Sequence, residues 1–244
     1  MRKTFTIESG EVNLGVSKED LIALQEIFPL EGLKVLASQS PARRVFIQRF
    51  RVDAFQVTID EFFKYLDGSN DFDRAYWSTV REALSDVGRN RPILGVSQQE
   101  AEQFAAAYGG RLLTKDEFEY LLRGDSLSGF LGKNPRRVSS EYSPGYFPDL
   151  VRALQPVFDA HESPAFKGVR GLYGNASELV ANDQVSGCDE TSQGEVCVSA
   201  NGVAHPWFHA SYFEYRRQAF RSDNRPFTRP LSLDSPGFRC AYNE

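Results

Sequence analysis

Residues 91–124 read RPILGVSQQEAEQFAAAYGGRLLTKDEFEYLLRG, and this stretch contains clear signals for secondary structure. Ser97 and Thr114 each precede a glutamate by three residues, the spacing at which hydroxyl and carboxylate cap the first turn of a helix reciprocally. Gly109 and Gly110 follow the first of these helices and allow the left-handed turn that ends it. Between the two helices, RLLT predicts a short strand. The stretch therefore predicts a helix, a turn, a strand and a second helix in close succession.

The same capping signal occurs twice more in the first half of the chain, at Ser17 with Asp20 and at Thr58 with Glu61. Between these two helix starts, residues 43–57 (RRVFIQRFRVDAFQV) carry apolar side chains at roughly alternating positions, which indicates a strand. The first half of the chain therefore predicts several short helices with a strand between them.

The second half of the chain is rich in Gly, Pro, Ser and Asn and has only short apolar runs. Its last 36 residues, from 209 to 244, show neither a helical nor a strand period before GFRC. This pattern favours an α+β fold with few helices, a small irregular antiparallel sheet and long loops. No proline-rich or charged linker divides the sequence, so we expect a single domain over residues 1–244.

The formal net charge of −5 disfavours a nucleic-acid partner, since such partners usually bind basic proteins. No apolar run is long enough for a transmembrane helix, and the N-terminus lacks the apolar region of a signal peptide. We therefore expect a cytoplasmic protein with no membrane partner, with a surface or secreted location as the open alternative. Six arginines and two aspartates between 216 and 239 make the C-terminal region locally basic, which suits an anionic ligand or arginine stems packed over aromatic rings.

Cysteine and histidine give weak metal or disulfide signals. Cys188 and Cys197 flank a polar loop that they could close in an oxidising compartment, but three cysteines do not make a disulfide framework. His205 and His209 have the spacing of a helical pair, but Pro206 argues against a helix there. The sequence has no CxxC motif or other zinc-ligand spacing.

Several segments, in order, resemble the formylglycine-generating (sulfatase-modifying) enzyme family. Residues 43–66 resemble its opening strand and first helix, and residues 91–124 resemble its next block of caps, glycine-ended helix and RL-T strand. GLYGNASELVAND at 171–183 is similar to its GN--E signature, and AFRSDN followed by GFRCA is similar to its terminal R…GFR. The resemblance runs from about Phe5 to the C-terminus. It implies a C-type-lectin-like fold whose ligand site is built by the C-terminal segment.

In the founding enzyme of that family, two active-site cysteines bind copper, and the resemblance places these positions at Phe208 and Phe213. Phenylalanine cannot form the thiolate that the soft Cu(I) ion requires. The nearest cysteine that follows, Cys240, belongs to the GFRC strand. We therefore do not expect formylglycine generation by copper chemistry.

Two functions remain open. The first is a non-catalytic ligand-binding protein, a group that includes the variable proteins of diversity-generating retroelements, in which adenine mutagenesis randomises the segment before GFR. From Phe208 to Pro236, only Glu214 and Gln218 belong to the residue types that such mutagenesis cannot produce, although an ordinary irregular loop also explains this composition. The second function is an oxidase or siderophore-type modifying enzyme of the same family with non-copper chemistry. The predicted ligand-binding residues, all within segment 205–237, are Trp207, His209, Ser211, Tyr212, Phe213, Tyr215, Arg221, Asp223, Asn224 and Phe227.

The resemblance also implies a calcium site at the GNASE motif, formed by the carbonyls of Gly174 and Ala176 and the side chain of Glu178. A hard cation takes six or more oxygen ligands, and Gly171 stands where the family has an asparagine ligand, so this set is incomplete. A turn in which Asn175 and Glu178 bond to the local backbone is the alternative. Apart from calcium, we expect no cofactor, and we expect the partner to be a protein or a small-molecule ligand.

Overall fold

The computed structural model describes residues 2–24, 40–69, 72–124, 151–163, 165–172, 175–181, 195–204, 211–220 and 236–244, and along the last two long strands it describes the backbone. Five helices and nine strands lie wholly within these ranges. In chain order they are β1 (Thr4–Ile7), β2 (Gly10–Leu14), α1 (Lys18–Leu24), β3 (Arg43–Ile47), β4 (Phe50–Asp53), α2 (Ile59–Asp67), α3 (Arg74–Ala83), α4 (Gln98–Ala107), β5 (Arg111–Leu112), α5 (Lys115–Arg123), β6 (Glu178–Leu179), β7 (Glu195–Ala204), β8 (Ser211–Phe220) and β9 (Cys240–Asn243).

Within the described residues, the strands form three antiparallel sheets. The first has the order β1-β4-β9-β5, so the C-terminal strand β9 lies in its interior. The second pairs β2 with β3, and the third has the order β6-β7-β8. This arrangement confirms the predicted α+β fold with short helices and small antiparallel sheets. None of the helices in these ranges is long and apolar enough to cross a membrane.

The four predicted capping boxes are confirmed. They could be predicted because each depends on residues only three positions apart. The hydroxyls of Thr58, Ser97 and Thr114 each accept a hydrogen bond of 3.2 Å from the backbone N–H three residues later, and the glutamate at that position caps the hydroxyl residue's N–H in return. Ser17 and Asp20 exchange the same pair of bonds at the start of α1. The predicted stop after α4 is also confirmed, at a backbone φ of 73° in the residue that follows Tyr108.

Two features differ from the sequence prediction. Residues 43–57 form two strands rather than one, because β3 pairs with β2 while β4 pairs with β1 and β9. Helix α3 was not predicted, because its start lacks a glutamate at the third helical position. The carboxylate of Asp73 caps it instead, accepting a 3.0 Å hydrogen bond from the N–H of Tyr76. The helix then buries Tyr76, Trp77 and Val80 at helical spacing.

Strand β9 and the residues just before it lie between two hydrophobic clusters. Phe238 packs with Phe104 in one cluster, with ring centroids 5.2 Å apart, while Ala241 contributes to the other cluster together with Phe118. Gly237 is required at the entry to this strand, since a β-carbon there would lie 2.7 Å from the carbonyl oxygen of Ile93. The return of the GFRC segment to the core, with its phenylalanine buried, is therefore confirmed.

Candidate functional site

The predicted ligand-binding segment contains a long antiparallel ribbon made of β7 and β8. The two strands pair along their whole length, from Glu195 opposite Phe220 to Ala204 opposite Ser211. The expectation that this segment lacks strand structure was therefore wrong for residues 211–220. Adjacent aromatic and adjacent basic residues in SYFEYRRQAF obscure the two-residue period, and its pairing partner EVCVSANGVA comes from an earlier part of the chain.

Four of the ten predicted ligand-binding residues lie on β8, namely Ser211, Tyr212, Phe213 and Tyr215. Because successive positions of a strand face opposite sides, positions 211, 213 and 215 share one face and position 212 lies on the other. Their cross-strand partners on β7 are the aliphatic or glycine residues 204, 203, 202 and 200. The register of the ribbon thus pairs the three aromatic positions 212, 213 and 215 with Val203, Gly202 and Ala200.

The other predicted ligand-binding residues lie outside the described residues. Ranges 205–210 and 221–235 contain Trp207, His209, Arg221, Asp223, Asn224 and Phe227, together with Phe208. Cys188, His205 and Gly174 also lie outside the described residues, so the disulfide, the histidine pair and part of the calcium site stay predictions. The described part of the chain contains no group of three or more His, Cys, Asp or Glu side chains placed to hold a metal ion.

Strand β6 joins the ribbon to the scaffold. Glu178 and Leu179 pair with Ala200 and Ser199 of β7 on one side. On the other side, the N–H of Leu179 donates to the carbonyl of Gly237 at 2.8 Å, and Gly237 N–H donates to the carbonyl of residue 177 at 2.7 Å. The two-residue strand β6 therefore links the ribbon to the segment that leads into β9.

A buried ion pair holds this bridge in place. The guanidinium of Arg239 donates from Nε to Oε2 of Glu178 at 2.7 Å and from Nη2 to Oε1 at 2.6 Å, and the two side chains are 0% and 1% exposed. Arg239 Nη2 also donates to the carbonyl of Arg170 at 2.7 Å. A bidentate pair with further hydrogen bonds offsets part of the desolvation that burial imposes on both charges.

An amide network surrounds the same carboxylate. Gln56 Nε2 donates to Oε1 of Glu178 at 3.0 Å and to the carbonyl of Ala176 at 2.8 Å, while Gln56 Oε1 accepts from Asn175 Nδ2 at 2.8 Å. Sequence analysis missed Gln56, because it lies 122 positions from Glu178 and belongs to no recognised motif. Its one local signal is that it is a lone polar residue between the apolar Phe55 and Val57.

These contacts do not fit the calcium site that the resemblance implies. Both carboxylate oxygens of Glu178 accept hydrogen bonds from the Arg239 guanidinium, and the carbonyl of Ala176 accepts one from Gln56. A calcium ion needs these same oxygens, and it would be placed next to a buried positive charge. The described members of the predicted set therefore bind Arg239 and Gln56.

Cys240 lies in β9 beside a buried carboxylate. Oδ2 of Asp53 accepts from the N–H of Cys240 at 3.2 Å and from Nε of Arg2 at 2.8 Å, and Oδ1 accepts from the hydroxyl of Tyr242 at 3.2 Å. Burial raises the pKa of the Cys240 thiol, and the negative charge of Asp53 raises it further. The thiolate form, which is the form that reacts and binds soft metals, is therefore disfavoured at this position.

Comparison with known proteins supports the fold described above. The solved structure of PvdO from Pseudomonas aeruginosa aligns with a TM-score of 0.60 and 17% identity, covering 99% of this chain and 94% of that one. The crystal structure of CarF aligns with a TM-score of 0.54 and 13% identity, covering 100% of this chain and 99% of that one. At such identities the likeness shows the fold alone, and no curated protein sequence matches the chain. The family model described as "Sulfatase-modifying factor enzyme 1-like domain" matches residues 1–244, so the chain belongs to this family.

Proposed function

We propose that this protein is a non-catalytic member of its family that binds a protein or small-molecule ligand through its C-terminal segment, residues 205–237. The observation that carries the proposal is the presence of phenylalanine at positions 208 and 213, where the resemblance places the copper-binding cysteines. Phe213 lies on β8 directly opposite Gly202 of β7. A phenyl ring has no lone pair to offer Cu(I), so these positions supply apolar contact area instead.

The position of Cys240 supports this proposal. The residue lies in the interior of the first sheet, and burial raises its thiol pKa. A copper site needs thiolates that are both deprotonated and accessible, and Cys240 is neither at neutral pH. This cysteine therefore offers no replacement for the two that phenylalanine has displaced.

The composition of the segment also supports a binding role. Tyrosine and phenylalanine supply contact area at low conformational-entropy cost, while serine, asparagine and arginine supply adaptable hydrogen bonds, as in antibody paratopes. The ribbon carries four such positions on β8, and its other strand, β7, pairs with β6 of the scaffold. In the retroelement version of the proposal, the coding segment for residues 208–236 is diversified. A near-identical non-coding repeat of that segment beside a reverse transcriptase gene is then expected, and its absence would remove this version.

Copper binding tests the central observation. In a Cu(I) competition titration, the wild-type protein should bind no more tightly than a general thiol, and it should not oxidise a cysteine-containing peptide. The double variant Phe208→Cys, Phe213→Cys should gain Cu(I) affinity. A matched control is Phe46→Cys, Arg51→Cys, which places two cysteines at the same spacing on exposed positions of β3 and β4. The control should gain less affinity than the designed pair.

Two outcomes would contradict the proposal. Tight Cu(I) binding or peptide oxidation by the wild-type protein would show that the copper chemistry persists without the expected cysteines. A redox metal or an organic cofactor that co-purifies with the wild-type protein would favour the alternative, an oxidase or siderophore-type modifying enzyme of the same family.

A further inference from the structure

A cleft of about 470 Å³ opens where β4 ends and α2 begins. Its volume lies within the range of small-molecule sites, roughly 300–1,000 Å³. The described lining combines aromatic, cationic and anionic side chains from four short segments of the chain. These residues are Arg2, Lys3, Asp53, Phe55, Gln56, Thr58, Asp60, Glu61, Arg89, Asn90, Val157 and Phe158.

One wall of the cleft is apolar. The rings of Phe55 and Phe158 pack edge to face with centroids 4.8 Å apart, and Val157 is buried beside them. Phe158 is nevertheless 55% exposed, and charged residues line the same cleft. A large aromatic surface exposed next to charged groups in a concave site is typical of a surface that a ligand covers.

The described lining residues carry equal numbers of positive and negative charges, some buried inside the cleft and some exposed at its mouth. Among the described residues of the lining there are three cations, Arg2, Lys3 and Arg89, and three carboxylates. Arg2 pairs with the buried Asp53 at 2.8 Å, so the inner charges neutralise each other. Lys3 and Arg89 are exposed, so the mouth of the cleft presents cations to solvent.

The carboxylates at the mouth belong to the first turn of α2. Asp60 and Glu61 are 44% and 36% exposed, and each keeps a partner within the protein. Asp60 accepts from Lys64 at 2.6 Å, and Glu61 accepts the capping bonds of Thr58. The mouth therefore presents anions as well as cations beside the aromatic wall.

One buried nitrogen of the Arg2 guanidinium makes an ion pair but no well-aligned hydrogen bond. Its Nη1 atom lies 3.0 Å from Oε1 of Glu61, but it makes no hydrogen bond of acceptable geometry with any described residue. Buried donors are nearly always hydrogen-bonded in native proteins. An oxygen atom from a bound ligand or from water would satisfy this one.

We propose that the cleft binds a free α-amino acid with an aromatic or large apolar side chain. In this arrangement the ligand carboxylate lies near Arg89 and Lys3, its ammonium group lies near Asp60, and its side chain packs on the Phe55–Phe158 wall. A zwitterionic ligand can pair with both the cations and the anions at the mouth and has no net charge itself. Either end of a peptide chain carries only one of these two charges.

The test is a titration of the full chain, followed by calorimetry or by NMR, with three related probes. L-phenylalanine carries both charges, N-acetyl-L-phenylalanine lacks the ammonium, and L-phenylalaninamide lacks the carboxylate. We expect L-phenylalanine to bind at least about tenfold more tightly than either capped probe. Absence of saturable binding of L-phenylalanine up to about 10 mM, or equal affinity for all three probes, would overturn the proposal.

Matched variants locate the site. Phe158→Ala should lower the affinity for L-phenylalanine at least about fivefold, because it removes the exposed half of the aromatic wall. Phe46→Ala is the control, since Phe46 is 56% exposed on β3 and lies outside the cleft, and it should leave the affinity unchanged. Equal losses in the two variants would show that the binding is non-specific.

Two charge variants separate the two ends of the ligand. Arg89→Gln should weaken binding of L-phenylalanine and of the N-acetyl probe but not of the amide, which has no carboxylate. Asp60→Asn should weaken binding of L-phenylalanine and of the amide but not of the N-acetyl probe. If neither variant discriminates among the probes, the assigned orientation is wrong and the zwitterion proposal fails with it.

Discussion

The C-terminal strand β9 and the β7–β8 ribbon are held by different physical means. Phe238 and Cys240 are fully buried between helices and sheet, and Arg239 makes a bidentate ion pair in the same interior. The ribbon strands pair mainly with each other, and the two residues of β6 attach β7 to the scaffold. The chain thus keeps its stabilising contacts and its proposed binding residues in neighbouring but separate segments.

This difference explains how a family scaffold can change function. The GFRC segment is fixed by close packing, since even a β-carbon at Gly237 would collide with the carbonyl of Ile93. Substitutions in the ribbon meet fewer such constraints if its positions face a ligand rather than the core. Each of the following predictions tests this separation of stability from binding, beginning with the largest expected effect.

Removing the buried cation should destabilise the protein most. Arg239→Met leaves the carboxylate of Glu178 buried without its partner and should lower the unfolding free energy by about 3–5 kcal/mol in denaturant melts. Arg44→Met is the control, because Arg44 is 72% exposed and its pair with Glu11 should contribute at most about 1 kcal/mol. The double variant Arg239→Met, Glu178→Met should recover part of the loss. A loss below about 1 kcal/mol for Arg239→Met would show that the ion pair does not hold the scaffold.

Truncating the core aromatics should have an effect of similar size. Phe118→Ala and Phe238→Ala each remove a fully buried ring and should lower the unfolding free energy by roughly 3–5 kcal/mol. Denaturant melts of both variants measure this loss. If either value falls below about 1 kcal/mol, the two clusters around β9 are not the main source of stability.

Thiol labelling compares the two regions directly. In reduced single-cysteine proteins at pH 8, Cys197 on the ribbon should react with a maleimide at least about 100-fold faster than Cys240. Cys240 is buried with a raised thiol pKa, so it should react only when the core opens. The two rates should become similar in denaturant, which serves as the control. Similar rates in the native protein would mean that the ribbon and the core open together.

Truncating the ribbon aromatics should have the smallest effect. If the ribbon is a binding surface, Tyr212→Ala and Phe213→Ala should each change the unfolding free energy by less than about 1 kcal/mol, because surface substitutions usually have small effects. The same denaturant melts measure them beside Phe238→Ala. If these variants unfold as readily as Phe238→Ala does, the segment is core packing and the binding-surface proposal fails.

The helix starts could be predicted from the sequence because a capping box is a local structure. Thr58 and Glu61, three residues apart, form their bonds whatever the rest of the chain does. The unpredicted helix α3 has a weaker local signal, since Asp73 caps it without a returning glutamate. The ribbon had almost no local signal, because adjacent Tyr212 and Phe213 hide the strand period.

The candidate site was less predictable than the fold, because its residues interact across long separations in the sequence. The family resemblance implied a calcium site at Glu178, with a local turn as the alternative, whereas in the tertiary structure its carboxylate binds Arg239 and Gln56. These partners are 61 and 122 positions away along the chain. No pattern in a single sequence links residues at such separations, so their pairing emerges only when the sheets assemble.

Local patterns in the sequence were sufficient to predict the caps, the glycine-ended helix after Tyr108 and the burial of Phe238. Each of these depends on residue type and short spacing. The tertiary structure alone decided that residues 43–57 divide between two sheets, that β8 pairs with β7, and that Arg239 neutralises Glu178. These features depend on contacts between distant segments, because a strand or a buried charge pairs with the segment that the fold places beside it.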